Sequence, residues 1–256
     1  MLPGGMMPVT QLVAMMRSSP PQHAAGLLMA MPVDRLHAVL GALKPVDLAR
    51  LVVGAKPNHR ADILALLSHD QIIGVLRTVK PNQAAVLLSG VSRDLALAVI
   101  ANLPTAAAAV LLNAMDVERR KVLLAGMDPV ISGELLVTMY EHGVAHALGR
   151  TNATISYPPD GPRGTLLVRA FDRLIVVIIR YGDYGVFPVR GVQEAEHAAT
   201  WARASAALAV TRLPLSDEAN DYLDAARAAG RPLDAITWLD ERHDGLLQRS
   251  LVGLVR

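Results

Sequence analysis

Between residues 20 and 139 the apolar positions fall in one fixed rhythm of 12. Cut every 12 residues from Pro20, the chain reads PPQHAAGLLMAM, PVDRLHAVLGAL, KPVDLARLVVGA and so on to DPVISGELLVTM. An apolar pair recurs at the eighth and ninth places, from Leu27-Leu28 and Val39-Leu40 through Ile63-Leu64 and Leu111-Leu112 to Leu135-Leu136. The twelfth place is apolar in every unit, and the fifth often is, as at Leu36, Leu48 and Ile72. Spacings of three and four put these places on one stripe of a helix. Pro32, Pro45, Pro57, Pro81, Pro104 and Pro129 stand at the first or second place, where a first helical turn tolerates a missing N–H. Asp34, Asp47, Asp70, Asp94 and Glu118 follow within that turn, where a negative charge suits the positive end of the helix dipole. Each unit is thus one short helix and a tight corner. A helix so short is unstable alone, so the pattern predicts a solenoid held by nearest-neighbour contacts.

After Gly149-Arg150 the rhythm stops and the period shortens to that of strands. Thr154–Tyr157, Thr165–Ala170 and Leu174–Arg180 read as strands, the last apolar at nearly every place, as a strand buried on both faces is. A helix over Gly191–Ala204 follows, then a strand over Ala207–Thr211. Ser216 caps a helix running to about Ala229, a short strand covers Ala235–Trp238, and a last helix ends near Leu254. The order β-β-β-α-β-α-β-α defines an α/β domain. Trp201 and Trp238 are expected in its core.

Composition narrows the class. Hydrophobic residues make up 52% and charged residues 19%, which argues against disorder. No apolar run approaches the ~18 residues of a membrane span, and MLPGGMMPVTQ lacks the basic and apolar regions of a signal peptide. With no cysteine there is no disulfide, thiolate zinc site or Cys nucleophile, and a cytoplasmic location is expected. Residues 1–150 hold 13 Lys/Arg against 10 Asp/Glu, and residues 151–256 hold 12 against 13. Neither half is the strongly basic body of an affinity-driven nucleic-acid binder. His142 and His146 are four apart but lack the Glu of an HExxH zinc motif. Gly182–Gly185 reads as a hairpin-type turn rather than a phosphate cradle.

The units PVDRLHAVLGALKP and DVERRKVLLAGMDP resemble the intracellular N-terminal domain of MgtE-type magnesium transporters and, more distantly, the middle domain of the flagellar motor switch protein FliG. The resemblance covers about residues 10–145 and implies a superhelix. In the transporters this domain is cytosolic and helps sense magnesium through acidic residues. The repeat here carries few acids, so what transfers is the shape. The stretch ALAVTRLPLSDEANDYLDAARAAGRPLDAITWLDERHDGLLQ resembles the tail of Mrr-type restriction-endonuclease-like domains. LIVVIIRYGDYGVFPVRGVQEAEHAATWA is similar to the segment upstream, with Arg180-Tyr181 under the family's Arg-Tyr. That family implies a divalent metal held by an acid on one strand, and by an acid or Gln two places before a Lys on the next. Those places fall near Leu167 and on Val177-Ile178-Ile179, or on Ile178 and Arg180 in a register shifted by one. Aliphatic carbon cannot ligate magnesium, so a degenerate, non-catalytic nuclease fold is implied.

The expectation is therefore two domains, an all-α superhelical repeat followed by an α/β restriction-endonuclease-like domain. Residues 1–19 form an N-terminal segment or cap, 20–148 the superhelix and 149–256 the α/β domain. The leading function is a non-catalytic interaction or scaffold protein. Its repeat would take a protein partner, with Arg35, Arg93, Arg119, Arg120 and Lys121 as candidate contacts, and its α/β domain would dock a partner or DNA. No cofactor is expected. Mg2+ enters only under the alternatives, a metal-dependent nuclease whose site has moved to Asp172, Arg180, Asp183, Glu194 and Glu196, or a magnesium or ligand sensor.

Overall fold

A computed structural model of the chain describes residues 7–255. Residues 1–6 of the expected N-terminal segment, and Arg256, lie outside the described residues. The chain divides into two compact units between Leu135 and Leu136.

The first unit is a run of short helices: α1 (Val9–Ser18), α2 (Pro21–Met29), α3 (Val33–Ala42), α4 (Pro45–Gly54), α5 (Pro57–Leu66), α6 (His69–Thr78), α7 (Pro81–Ser89), α8 (Arg93–Ala101), α9 (Thr105–Asn113) and α10 (Val117–Leu124). It ends in the first turns of the longer α11 (Pro129–Gly149), within which the division falls. Each corner is punctuated as the repeat predicts. Pro45, Pro57 and Pro81 occupy the first helical position, Ser68 makes a full capping box with Gln71, and Asp116 caps α10. The apolar pairs from Val39-Leu40 to Leu111-Leu112 are buried on both members, at roughly 1.5–3 kcal/mol per large side chain. Leu12, Val13 and Met16 of α1 are buried too, so α1 closes the near end of the stack.

Stacking departs from the nearest-neighbour expectation. The strongest contacts join alternate helices, α4 with α6, α2 with α4, α1 with α3 and α7 with α9, beside weaker ones between the neighbours α1 and α2 and α4 and α5. A helix of two or three turns exposes a wide stripe, and turning the chain at every corner brings the next helix but one alongside. The packing repeat is thus a helix pair of 24 residues, twice the sequence period. Polar side chains add longer ties across the stack, spanning 28 to 34 residues. Arg50 donates to the carbonyls of Met16 and Ser19, Gln71 to that of Leu40 and Arg119 to that of Val91. Each satisfies carbonyls in the last turn of a helix or in the corner beyond it.

The second unit begins in α11 and continues through β1 (Thr154–Ser156), β2 (Thr165–Ala170), β3 (Arg173–Arg180), α12 (Val189–Trp201), β4 (Ala206–Thr211), α13 (Asp217–Ala228), β5 (Leu233–Thr237), a 3-10 turn (Glu241–His243) and α14 (Asp244–Val255). The sheet order is β1-β2-β3-β4-β5, with β1–β2 and β2–β3 antiparallel and β3–β4 and β4–β5 parallel. α11 and α14 cover one face through Tyr140, Val144, Leu148, Leu247 and Leu251. α12 and α13 cover the other through Val192, Ala195, Ala219 and Leu223. The result is a three-layer α/β/α unit in which Ile175–Ile179 are buried on both faces, as their unbroken apolar run predicts.

Two expectations fail here. Trp201, at the open end of α12, is 52% exposed rather than core, whereas Trp238 is buried. Gly182–Gly185 makes no hairpin, because β3 and β4 are parallel and this segment begins the crossover into α12. Among the described residues no helix is long and apolar enough to cross a membrane.

Candidate functional site

The carboxyl end of β3 gathers charged side chains from a helix, a loop, a strand and a second helix. Side chains alternate along a strand, so Arg180 shares the α12 face with Ile178, which lies opposite Thr165 on β2. Its guanidinium donates to the carbonyls of Arg163 (3.0 Å) and Ile179 (3.1 Å) and meets Glu194 of α12 at 3.3 Å. From α11, Glu141 approaches Arg163 at 3.5 Å. Between them Gly164 adopts φ +73°, and a Cβ there would stand 2.5 Å from the Ile179 carbonyl, 3.2 Å from Glu141 Oε1 and 3.3 Å from Arg180 Nη1. Only glycine admits that approach. Burial pushes the Glu141 carboxyl up, against the opposing pull of Arg163, His142 and Arg180. Following Gly164 in the chain, Thr165 is buried and its hydroxyl has no hydrogen-bond partner.

The candidate acids separate. Asp172 sits at φ +64° in the β2–β3 turn, at the opposite end of β3 from Arg180, which at ~3.3 Å per residue is more than about 20 Å away. Asp183 pairs with Arg212 (3.1 Å) and accepts from the Tyr181 hydroxyl. Burial first, and then that bond, push the Tyr181 phenol up to about 12. Glu196 turns to the far side of α12 from Glu194, as a two-residue step on a helix requires. It binds Arg231 (2.6 Å) and the Tyr222 hydroxyl (2.5 Å). Burial would raise its pKa, but those two partners hold it below the usual carboxylate range. Arg180 and Glu194 are therefore the only pair of the five brought into contact. Glu141 and Arg163 complete their cluster, and both escaped sequence reasoning because they lie far away in the chain, on a helix and in a loop.

The strand places that a nuclease would give to metal ligands are hydrocarbon. Leu167 pairs with Val176, and Ile178 is fully buried. Among the described residues no group of three or more His, Asp or Glu side chains is arranged to hold a metal ion.

In the helical unit, Arg119 is half-buried and donates to Val91 at 2.8 Å, and Arg93 covers Gly126, where a Cβ would lie 2.4 Å from its guanidinium. Arg93 lies on α8 and Arg119 on α10, two helices that pack together. Lys121 pairs with Glu118 at 2.9 Å, Arg120 is half-buried, and Arg35 lies apart on α3. The basic run is thus partly a packing device.

Residues 43–139 match the family described as the MgtE intracellular N domain, a stretch that lies almost wholly within the helical unit. No curated protein matches the chain. Among solved structures, the cytosolic domain of the Mg2+ channel MgtE in complex with ATP is similar at 18% identity and a TM-score of 0.41, over 78% of this chain and 97% of that one. The soluble part of a magnesium transporter is similar at 12% identity and a TM-score of 0.28, over 85% and 97%. Both scores are too low to define a shared arrangement.

Proposed function

We propose that the chain is a non-catalytic interaction protein. Its helical array takes a protein partner, and its α/β unit is a nuclease-type domain without metal chemistry that docks a partner or DNA. One observation carries the reading: Leu167 and Ile178 offer only carbon where oxygen ligands would be needed, and Arg180 is held between Glu194 and two carbonyls. A magnesium ion bound at the carboxyl end of β3 would have to displace arginines from Glu141 and Glu194, and both carboxylates would still leave it short of oxygen ligands. The strand and helix order supports the resemblance to the Mrr-type domains without supplying their ligands.

The match over residues 43–139 favours a second reading, a magnesium-responsive regulatory protein. Thermal unfolding of the full chain in Mg2+ and in choline chloride of equal ionic strength separates the two. The interaction reading expects identical transitions. A saturable rise in Tm specific to Mg2+ would replace it with the sensor.

A further inference from the structure

Arg180 closes β3 at one end of the sheet. At the other end, where β5 begins, the last turns of α13 and α14 and the segment 231–233 enclose an open cleft of about 420 Å3. Arg227, Arg231 and Arg249 line it with Ser250, and Asp234 is the one carboxylate among its described lining residues. Three guanidiniums thus face one carboxylate, and Asp234 already accepts from the Ala235 N–H.

The three arginines are engaged to different degrees. Arg231 lies over the Tyr222 ring at 5.0 Å, and both of its hydrogen bonds leave from Nη1. Its guanidinium is fixed in place while Nε and Nη2 remain as donors. Arg227 holds only Asp224, in a pair exposed by 70% and 73%, which is easily released. Arg249 has no hydrogen bond or ion pair among the described residues. Arg231 keeps Glu196 and Arg227 keeps Asp224, so Arg249 is the cation of the cleft left without a counter-charge, and an anion placed beside it is attracted by all three. A guanidinium fork matches phosphate oxygens two at a time, and Ser250 adds a hydroxyl donor. Leu233 and Leu254 give the cleft an apolar wall, and its size lies within the ~300–1,000 Å3 of small-molecule sites.

We propose that this cleft binds a phosphorylated small molecule, with Arg231 and Arg249 on the phosphate, Ser250 donating to it and Arg227 swinging in. The inference is independent of whether the Arg180 end is catalytic. Calorimetric titration of the full chain with inorganic phosphate, pyrophosphate and AMP tests it at fixed ionic strength. The expected result is saturable binding of at least one probe, weakening as salt rises. That binding should fall about tenfold or more in Arg249→Ala and less in Ser250→Ala, and hold in Arg77→Ala, which removes an exposed arginine of α6. No saturable binding of any probe, an unchanged affinity in Arg249→Ala, or an equal loss in Arg77→Ala would overturn the proposal. Because Arg249 is exposed and unpaired, its variant is expected to keep the parental circular dichroism.

Discussion

The two units use charge in opposite ways. In the helical unit arginines are spread along the array, and several serve the backbone: Arg50 and Arg119 reach back to carbonyls about two and a half units earlier, and Arg60 binds three carbonyls at the end of α4. In the α/β unit the arginines collect at the two ends of the sheet and face carboxylates from other elements, as in Arg180–Glu194, Arg212–Asp183 and Arg231–Glu196. A repeat solves one packing problem many times, so its polar residues repeat with it. A sheet has ends where strands stop and loops converge, and sites form there. The surface of the array is therefore shaped by what packing leaves over, and the sheet ends by chemistry held in place.

That contrast breaks most sharply under truncation of the array core. Leu112 is fully buried, and Leu112→Ala should cost about 2–5 kcal/mol. Trp201 and Trp238 both belong to the second unit, so tryptophan fluorescence follows that unit while far-ultraviolet dichroism weighs the helices of the first. Urea unfolding should show the dichroism transition shifting and the fluorescence transition holding; equal shifts would mean that the units unfold as one. Next in size, Arg50→Ala removes two charge-assisted bonds to carbonyls and should cost about 1.5–3 kcal/mol, again in the dichroism transition alone.

Two glutamates of the second unit should give opposite pH responses. Glu196 is depressed in the folded state, so its contribution is present above the unfolded value of about 4.3 and is lost as pH falls through the lower folded value. Glu141 is raised, so its contribution is present below about 4.3 and is lost as pH rises through the higher folded value. Glu196→Gln should therefore flatten the acid side of the stability profile, and Glu141→Gln the side above it, each by at most about 1 kcal/mol. Fluorescence-monitored unfolding from pH 3 to 7 checks both signs. The smallest effect is expected at the exposed Lys121–Glu118 pair, where Lys121→Ala should move stability by about 0.2–0.5 kcal/mol. A loss above about 1 kcal/mol would show the basic run to be structural throughout.

The array was legible because each unit states its own boundaries. Proline and aspartate mark the start of a helix, the apolar pair marks its buried side, and ten copies average out exceptions such as Thr105, which opens α9 directly after Pro104. What the repeat conceals is pairing, since a period of 12 fits stacking on the next helix or on the one beyond it, and the second occurs. In the α/β unit the strands of the core were legible from their apolar runs, with β2 at Thr165–Ala170 and β3 within one residue of its expected start. The site was not. Arg180 and Glu194 lie 14 residues apart, and Glu141 and Arg163 join them only through the topology. No local pattern announces a cluster made from a helix, a loop, a strand and a second helix. The exposure of Trp201 was missed for a related reason, because a bulky residue at the last turn of an amphipathic helix can lie beyond the edge of the sheet that the rest of the helix covers.

The proposal that the α/β unit is non-catalytic, with only carbon offered at Leu167 and Ile178, is tested most directly by incubating the full chain with linear duplex DNA in Mg2+ and, separately, in Mn2+, and following the DNA over hours at protein excess. The DNA should remain intact in both metals, with wild type and Arg180→Ala indistinguishable. Cleavage by the wild type that Arg180→Ala and Glu141→Gln abolish would contradict the account and place a working metal site at the carboxyl end of β3.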